Sequence, residues 1–332
     1  MDLATRYMGL TLKNPLVASA SPLNTDIDNL RRLEDAGAAA VVLPSLFEEQ
    51  IATDAARYDE LTEAPAESFA EALTYFPAGS EYRVGPHAYL ELVRRAREAV
   101  AIPVIASLNG TTSEGWISYA GLLEEAGASA LELNIFFIPA DMSLTGAAVE
   151  ARYLEIVRSV RAIVSIPLAV KLSPYFSAPG HMAEALAAAG ADALVLFNRF
   201  YQPDIDLARL AVLNDLNLSH PSEIRLPLLW LAILSGRIKA SLAATTGVAS
   251  VDEVVKYLLV GADAVMTTSA LLRGGIGTMA TLVADLERWL EARDFASVGA
   301  MRGIMDQRSL DDPQAFERAN YIKILQEYGR AR

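Results

Sequence analysis

One lysine lies inside an apolar run, where a charged side chain is costly. Lys171 interrupts the run Leu-Ala-Val-Lys-Leu at positions 168–172. A buried ammonium group is stable when an anionic partner or ligand compensates its charge. We therefore predict that Lys171 faces a bound group with negative charge. The alternative is a lysine held in a salt bridge at the rim of the fold.

Three asparagines, Asn109, Asn134 and Asn198, stand at or just after other short apolar runs. A side-chain amide carries both a donor and an acceptor, which suits recognition of the edge of a heterocycle. We interpret these three residues as candidates for ligand binding. The alternative is that they satisfy turns or backbone groups, as buried asparagines often do.

Hydroxyl groups and a glycine end two later runs, as Thr246-Gly247 and Thr268-Ser269. Backbone N–H groups and hydroxyls of this kind bind phosphate where a strand meets a helix. The alternative is ordinary helix capping, by Ser250 and Ser269 in particular. Taken alone, the hydroxyls favour capping, whereas together with the recurring motif of helix, glycine and strand they favour a phosphate site.

A motif of helix, glycine and short strand recurs four times, around Gly37, Gly127, Gly190 and Gly261. Glycine at a helix C-terminus supplies a left-handed cap, and a strand directly after it completes half of a parallel unit. Four further apolar runs alternate with these. Eight strands are therefore predicted, at Leu16–Ala20, Val41–Leu43, Val104–Leu108, Leu131–Asn134, Leu168–Leu172, Leu194–Asn198, Ala240–Thr246 and Val265–Thr268.

Amphipathic segments fit between these strands, at 26–36, 113–126 and 147–164, and a capping box at Ser250–Glu253 opens another helix. The alternation predicts an α/β protein, a (β/α)₈ TIM barrel whose polar strand ends meet on one face. An open doubly wound sheet is the runner-up. The first strand lacks the Gly-x-Gly-x-x-Gly turn typical of that fold.

Two long insertions follow the second and sixth strands, at 44–86 and 199–235, on the face where barrel active sites lie. We expect a single domain over residues 1–332. Residues 1–13 are predicted to form an N-terminal hairpin at the bottom of the barrel, and residues 294–332 a helical tail.

The composition excludes several classes of protein and site. The formal net charge is −13, which disfavours nucleic acid and anionic membrane surfaces as partners. The chain has no cysteine, so disulfides and thiolate metal sites are excluded. The three histidines are scattered, and we expect no metal. Because no signal peptide and no apolar stretch of membrane-spanning length is visible, we expect a cytoplasmic protein.

An ordered set of segments resembles the dihydroorotate dehydrogenase family, and the FMN-binding domain of dihydropyrimidine dehydrogenase is similar in the same places. The segments are Asn14–Ser21, Ile105–Ser107, Ala130–Asn134, Ile166–Pro174 and Gly261–Val265. The resemblance implies an FMN-bearing barrel, often dimeric, that moves hydride between a pyrimidine ring and flavin N5. It places Lys171 near flavin N1 and O2. The family's FMN positions correspond to Ala20, Ser21, Asn134, Lys171, Asn198, Thr246, Gly247, Thr268 and Ser269, and its substrate positions to Asn109, Asn134 and Asn198.

This sequence departs from the family pattern at the substrate side. The family carries a Cys or Ser base in the loop after the fourth strand, and Phe137 occupies that position here. Phenylalanine cannot accept a proton. Pro44 replaces a common lysine, and Tyr75–Gly79 shows no recognisable substrate asparagine. We expect the flavin-binding half of the site to be retained and the substrate-binding half to differ from the family pattern. Activity on dihydroorotate should therefore be poor.

The sequence therefore predicts an FMN-dependent oxidoreductase that acts on CH–CH bonds of a pyrimidine-like or other small substrate. The catalytic base and the electron acceptor stay unassigned, and a homodimer is expected from the resemblance. Two alternatives remain: a non-catalytic barrel that binds flavin or another phosphate ligand, and an aldolase-type barrel in which Lys171 forms a Schiff base.

Overall fold

The computed structural model describes residues 1–50, 86–110, 114–199, 203–213 and 217–317. Its strands are β1 Thr5–Tyr7, β2 Leu10–Leu12, β3 Leu16–Ala18, β4 Ala40–Phe47, β5 Val104–Gly110, β6 Ala130–Ile135, β7 Leu168–Leu172, β8 Ala193–Leu196, β9 Asp204–Asp206, β10 Ala211–Leu213, β11 Ser241–Ala244 and β12 Ala264–Thr267. Its α-helices are α1 Ile27–Asp35, α2 Pro86–Ala99, α3 Glu114–Glu125, α4 Gly146–Arg161, α5 Pro179–Ala188, α6 Arg225–Leu234, α7 Val251–Leu259, α8 Ser269–Gly274, α9 Thr278–Glu291 and α10 Val298–Met301.

Eight parallel strands close into a barrel in the order β3-β4-β5-β6-β7-β8-β11-β12, and β12 pairs back with β3. The predicted TIM barrel is therefore confirmed, and the open doubly wound sheet is excluded. The strands are buried on both faces because helices cover the outside and side chains fill the interior. Val17, Val42, Ile105, Val195 and Met266 belong to the interior cluster.

The hairpin of β1 and β2 closes the end of the barrel where the strands begin. Tyr7, Met8 and Leu12 are buried and join the interior cluster. The Met8 N–H donates to Ser241 Oγ at 3.0 Å, at the start of β11. Because this end is filled by apolar side chains, the opposite end, where the strands terminate, is the one available for a ligand.

The four glycines of the recurring motif all adopt positive φ angles, between 94° and 110°. Each lies between a helix and the strand that follows it, as the motif predicts. At Gly190, an added Cβ would come within 2.6 Å of Arg161 Cγ. Both the backbone conformation and the close packing therefore favour glycine at this turn.

Side-chain caps begin the predicted helices close to their predicted positions. Asp26 accepts hydrogen bonds from the N–H groups of Asp28 and Asn29 at the start of α1. Ser250 and Glu253 form the predicted capping box at the start of α7. These contacts satisfy N–H groups that have no partner within the helix.

The insertions and the tail are described in part. Most of the insertion after β4, at 51–85, lies outside the described residues. The insertion after β8 contains the antiparallel pair β9 and β10 and then α6. In the described part of the tail, residues 294–317, the structure has the short α10 and a 3-10 turn at Pro313–Phe316. The helix α10 ends at Met301, Arg302 is extended, and Gly303 then has a positive φ of 76°, a conformation that favours glycine.

None of the helices in the described ranges combines the length and the apolar character that crossing a membrane requires.

Candidate functional site

A pocket opens at the carboxyl ends of β3, β7, β8, β11 and β12. Seven of the residues predicted from sequence line it together: Ala20, Lys171, Asn198, Thr246, Gly247, Thr268 and Ser269. They come from segments that are far apart in the chain and meet because parallel barrel strands all end on the same face. The strand ends therefore form one candidate binding site.

The predicted asparagines and Lys171 lie on neighbouring strands. Asn109 on β5 is in register with Asn134 on β6, and Asn134 is in register with Lys171 on β7. Asn198, just after β8, donates from Nδ2 to Asn134 Oδ1. Asn134 and Asn109 are not part of the pocket lining, so they stand beside it. Ser21 is buried next to Asn24, also away from the lining.

Lys171 forms an ion pair that the sequence analysis missed. Its Nζ lies 3.8 Å from Oε1 of Glu132, whose side chain is fully buried on β6. Burial raises the pKa of the Glu132 carboxyl group, and the positive charge of Lys171 opposes that rise. The signal was available, because Glu132 is a charged residue inside an apolar strand, as Lys171 is.

Ser219 connects the two segments predicted to bind phosphate. Its Oγ accepts from the Gly247 N–H at 3.1 Å and lies 2.9 Å from Ser269 Oγ. Arg273 holds this segment by donating to the carbonyl oxygens of Leu218 and Ser219. Sequence reasoning missed Ser219, because nothing around it in the chain distinguishes it from other loop serines.

The turn at Thr246 and Gly247 has two successive positive φ angles, of 82° and 75°. The Thr246 hydroxyl donates to the Phe197 carbonyl oxygen, and Tyr257 OH donates to the Thr246 carbonyl oxygen. A Cβ on Gly247 would lie 2.6 Å from Ile224 Cγ2. The loop packing therefore explains the glycine and holds the turn rigidly over the pocket.

The charged side chains that line the pocket, Lys171 and Arg199, are both cationic. Arg199 is partly neutralised, because its Nε lies 2.9 Å from Glu223 Oε2. Two cations in one pocket stand out in a chain with a net charge of −13. A pocket of this charge and with these hydroxyls suits an anionic ligand. Within the described ranges, no group of metal-ligating side chains occurs.

Comparison with curated proteins finds similar proteins over most of the chain. The catalytic subunit of dihydroorotate dehydrogenase B (NAD(+)) from Thermoplasma acidophilum is 26% identical over 316 residues, which cover 91% of this chain and 98% of the relative. The protein of that name from Desulforudis audaxviator is 29% identical over 307 residues, or 90% and 96%. The one from Pelobacter propionicus is 30% identical over 222 residues, or 62% and 69%.

The chain belongs to the dihydroorotate dehydrogenase family. Models of protein families gave no match to it.

The loop after β6 carries Phe137, the residue that the sequence analysis places at the position of the family's base. Its ring centroid lies 4.2 Å from the guanidinium carbon of Arg152 on α4. It is not part of the pocket lining. A stack with a cation on the neighbouring helix stabilises the ring outside the pocket.

Asp141, in the same loop as Phe137, does not line the pocket. Asp141 is fully exposed, and hydrogen bonds from the Ser143 backbone and side chain lower the pKa of its carboxyl group. Tyr75, Tyr82 and Tyr201 lie outside the described residues. Among the described lining residues, none carries a carboxyl or imidazole group.

Proposed function

We propose that this protein is an FMN-dependent oxidoreductase of the dihydroorotate dehydrogenase type, acting on a CH–CH bond of a small substrate. The observation that carries the proposal is the pocket in which Lys171, Asn198 and the hydroxyl-rich ends of β11 and β12 meet. The family relationship supports it, because enzymes of this family use FMN. The fit between ligand and residues rests on charge and donor type: two cations, side-chain amides and hydroxyls suit a phosphate-bearing heterocycle.

The residues divide into two groups by the part of FMN that each would hold. Lys171 and Asn198, with Asn134 behind them, would bind the polar edge of the ring, where an ammonium group stabilises developing negative charge. Thr246, Gly247, Thr268 and Ser269, with Ala20 alongside and the buried Ser21 behind it, would hold the phosphate end. In the structure Ser219 Oγ already accepts from the Gly247 N–H, so a phosphate oxygen would take a place now held by a hydroxyl. Bound FMN supplies hydride transfer at its N5.

The substrate is proposed to be a pyrimidine-like or other small compound, with dihydroorotate itself a poor substrate. Removing a proton from a ring carbon requires an acceptor, and a positioned base contributes a factor of about 10² to 10⁴. Phe137 provides none, and its ring stacks on Arg152. Asn109, Asn134 and Asn198 are the proposed substrate contacts, because they lie at the adjoining strand ends.

Anaerobic mixing with dihydroorotate tests this part of the proposal. We expect the flavin absorbance to bleach more slowly than about 1 s⁻¹, the lower end of usual turnover. Dithionite should still reduce the flavin fully, which is the control for an intact site. Bleaching at about 1 s⁻¹ or faster would show that another residue acts as the base.

The cofactor itself is tested by the visible spectrum of the purified protein. We expect a yellow protein that releases FMN on denaturation, or an apoprotein that quenches the fluorescence of added FMN. A colourless protein that causes no quench or spectral shift would disprove the proposal. Bound flavin that no organic donor reduces would favour the non-catalytic alternative.

The ion pair with Glu132 disfavours the aldolase-type alternative, because a Schiff-base lysine reacts as the uncharged amine.

We also propose that the protein is a homodimer that uses the hairpin of β9 and β10. This hairpin exposes several large apolar side chains: Ile205, Leu207, Leu210, Val212 and Leu213. A cluster of exposed apolar residues of this kind is typical of a protein–protein interface. The hairpin leaves the barrel beside the pocket, after β8, so the interface would lie near the site.

A further inference from the structure

A buried carboxyl group lies one layer below the floor of the pocket. Glu132 precedes Asn134 by two residues on β6, so both side chains are on the same face of the strand. The Glu132 side chain has no exposed surface. It is the kind of group that a barrel core does not normally contain, because an ionised carboxylate is costly in an apolar interior.

Glu132 depends on Lys171 for compensation of its charge. In the ranges that the structure describes, neither carboxylate oxygen accepts a hydrogen bond, and Lys171 Nζ lies 3.8 Å from Oε1. The other titratable group that interacts with Glu132 is Tyr7, from the hairpin below. Burial, followed by the charges of Glu132 and Asp263, raises the pKa of Tyr7 well above its usual value. The phenol therefore stays neutral and supplies no counter-charge.

Lys171 is placed to interact with either of two groups. It lines the pocket with 12% of its side chain exposed, and it contacts the buried carboxylate from the same position. Negative charge in the pocket attracts the same ammonium group and competes with Glu132 for it. A buried carboxylate that loses the cation compensating its charge is strongly destabilised relative to its protonated form.

We propose that Lys171 exchanges partners when negative charge enters the pocket, and that Glu132 then takes up one proton. The Nζ group transfers a proton to a Glu132 carboxylate oxygen, and water in the pocket returns a proton to Nζ. One proton therefore comes from solvent for each negative charge gained, and Lys171 remains cationic below the ligand. Glu132 is thus a positioning and charge-balancing residue that acts through Lys171.

This inference rests on the proposed function, because the charge considered is the one that reduction places on bound FMN. Two electrons and one proton leave a single negative charge on the flavin ring. The test uses FMN-loaded protein with dithionite as the reductant. The flavin midpoint potential is measured spectrophotometrically at several pH values across the neutral range.

Two variants are compared with the wild type. Glu132→Gln removes the proton acceptor while keeping the shape of the side chain. Asp263→Asn is the matched control, because Asp263 is a partly buried carboxyl group near the start of β12 that pairs with Arg302 at 2.7 Å. Both variants remove one carboxylate from an ion pair, but only Glu132 faces Lys171.

In Glu132→Gln we expect reduction to become more favourable, because the charge of Lys171 is no longer balanced. The equilibrium constant for reduction of the bound flavin should exceed that of the wild type by a factor that grows with pH. This factor reaches about tenfold, or roughly 30 mV in the midpoint potential of a two-electron couple. The midpoint potential of this variant should also fall less steeply with pH than that of the wild type, because reduction of the variant takes up one proton fewer. Asp263→Asn should match the wild type in both respects.

Infrared difference spectroscopy of the wild type gives a second readout that requires no variant. Reduction should produce the C=O stretch of a newly protonated carboxyl group. Equal potentials and pH slopes in wild type and Glu132→Gln, or the absence of this band, would overturn the inference and leave the proposed function standing. A wild type that binds no FMN would overturn both.

Discussion

Lys171 and its neighbours show how three adjacent strands bring different chemistry to one point. The lysine contributes a cation, Asn134 and Asn198 contribute amides joined by a hydrogen bond, and Glu132 contributes a buried counter-charge. Glu132, Asn134 and Lys171 lie on strands of the barrel and Asn198 follows β8 closely, so the barrel sets the positions of all four residues. The consequences of changing them can therefore be stated for single residues.

Replacing Lys171 should weaken flavin binding. Lys171→Ala removes a charge-assisted contact of about 1.5–3 kcal/mol, so we expect the Kd for FMN to rise roughly 10- to 100-fold, with a lower reduction potential. Fluorescence titration with FMN measures the first effect. Lys239→Ala is the control, because Lys239 is exposed just before β11, where the strands begin. Unchanged affinity and potential in Lys171→Ala would place the flavin ring elsewhere.

The buried carboxyl group of Glu132 should make stability depend on pH. Its pKa in the folded protein is raised above the usual 4.5 by burial. The unfolded chain therefore releases this proton at a lower pH than the folded protein does. Protonation of Glu132 therefore contributes to the free energy of unfolding. This contribution is fully present below pH 4.5 and is lost as the pH rises through the pKa of the folded protein.

Denaturant unfolding at a series of pH values measures this dependence. As the pH rises above 4.5, the free energy of unfolding of Glu132→Gln should increase steadily relative to that of the wild type. A pH-independent difference in stability between the two proteins does not affect this trend. Parallel stability curves for the two proteins above that pH would show that the Glu132 pKa is not raised.

At the scale of elements, the turn from helix to strand is the unit from which the barrel is built. Its glycine ends the helix with a positive φ angle and turns the chain into the next strand. The recurrence of this turn in four places leads four of the eight strands, β4, β6, β8 and β12, into the barrel with the same polarity. It also makes each of these glycines sensitive to the addition of a methyl group.

Substitution at Gly190 tests this role. The φ angle of 110° and the contact with Arg161 should make Gly190→Ala less stable by about 1–3 kcal/mol. Gly146→Ala is the matched control, because an added Cβ there meets no atom within 4 Å and its φ is not positive. The control should be neutral or more stable, by up to about 1 kcal/mol. Thermal unfolding of both variants measures the difference, and equal losses would contradict the account of the turn.

At the scale of the whole molecule, the two ends of the barrel differ: one is closed by apolar side chains, and the other, here called the working end, carries the pocket. The N-terminal hairpin fills the end where the strands begin, and the pocket lies at the end where they terminate. The hairpin of β9 and β10 projects from the working end with its apolar side chains exposed. Assembly through this hairpin would therefore bring a second copy close to the pocket.

Light scattering coupled to gel filtration tests the proposed dimer. We expect the wild type to have twice the mass of one chain and Leu207→Asp to have the mass of one chain, because a charge at the interface centre is not compensated. Leu207 is 82% exposed on the hairpin. Met142→Asp, at a side chain 98% exposed in the loop after β6, is the control and should remain dimeric. A monomeric wild type, or a dimeric Leu207→Asp, would disprove the interface.

The sequence by itself determined the barrel and the ends of its strands. Helix periodicity, the recurring glycine and short apolar runs are local signals, and parallel strands of one barrel necessarily end on the same face. Lys171 and Asn198 could therefore be assigned to one pocket before any contact was known, since their positions follow from strand order alone.

Only the tertiary structure decided which side chains meet. The pair of Lys171 with Glu132, the bridge from Ser219 to Gly247 and the stack of Phe137 on Arg152 join residues far apart in the chain or depend on side-chain direction. Local sequence patterns specify the backbone of each element, whereas these contacts depend on how the elements pack and which rotamers the packing allows.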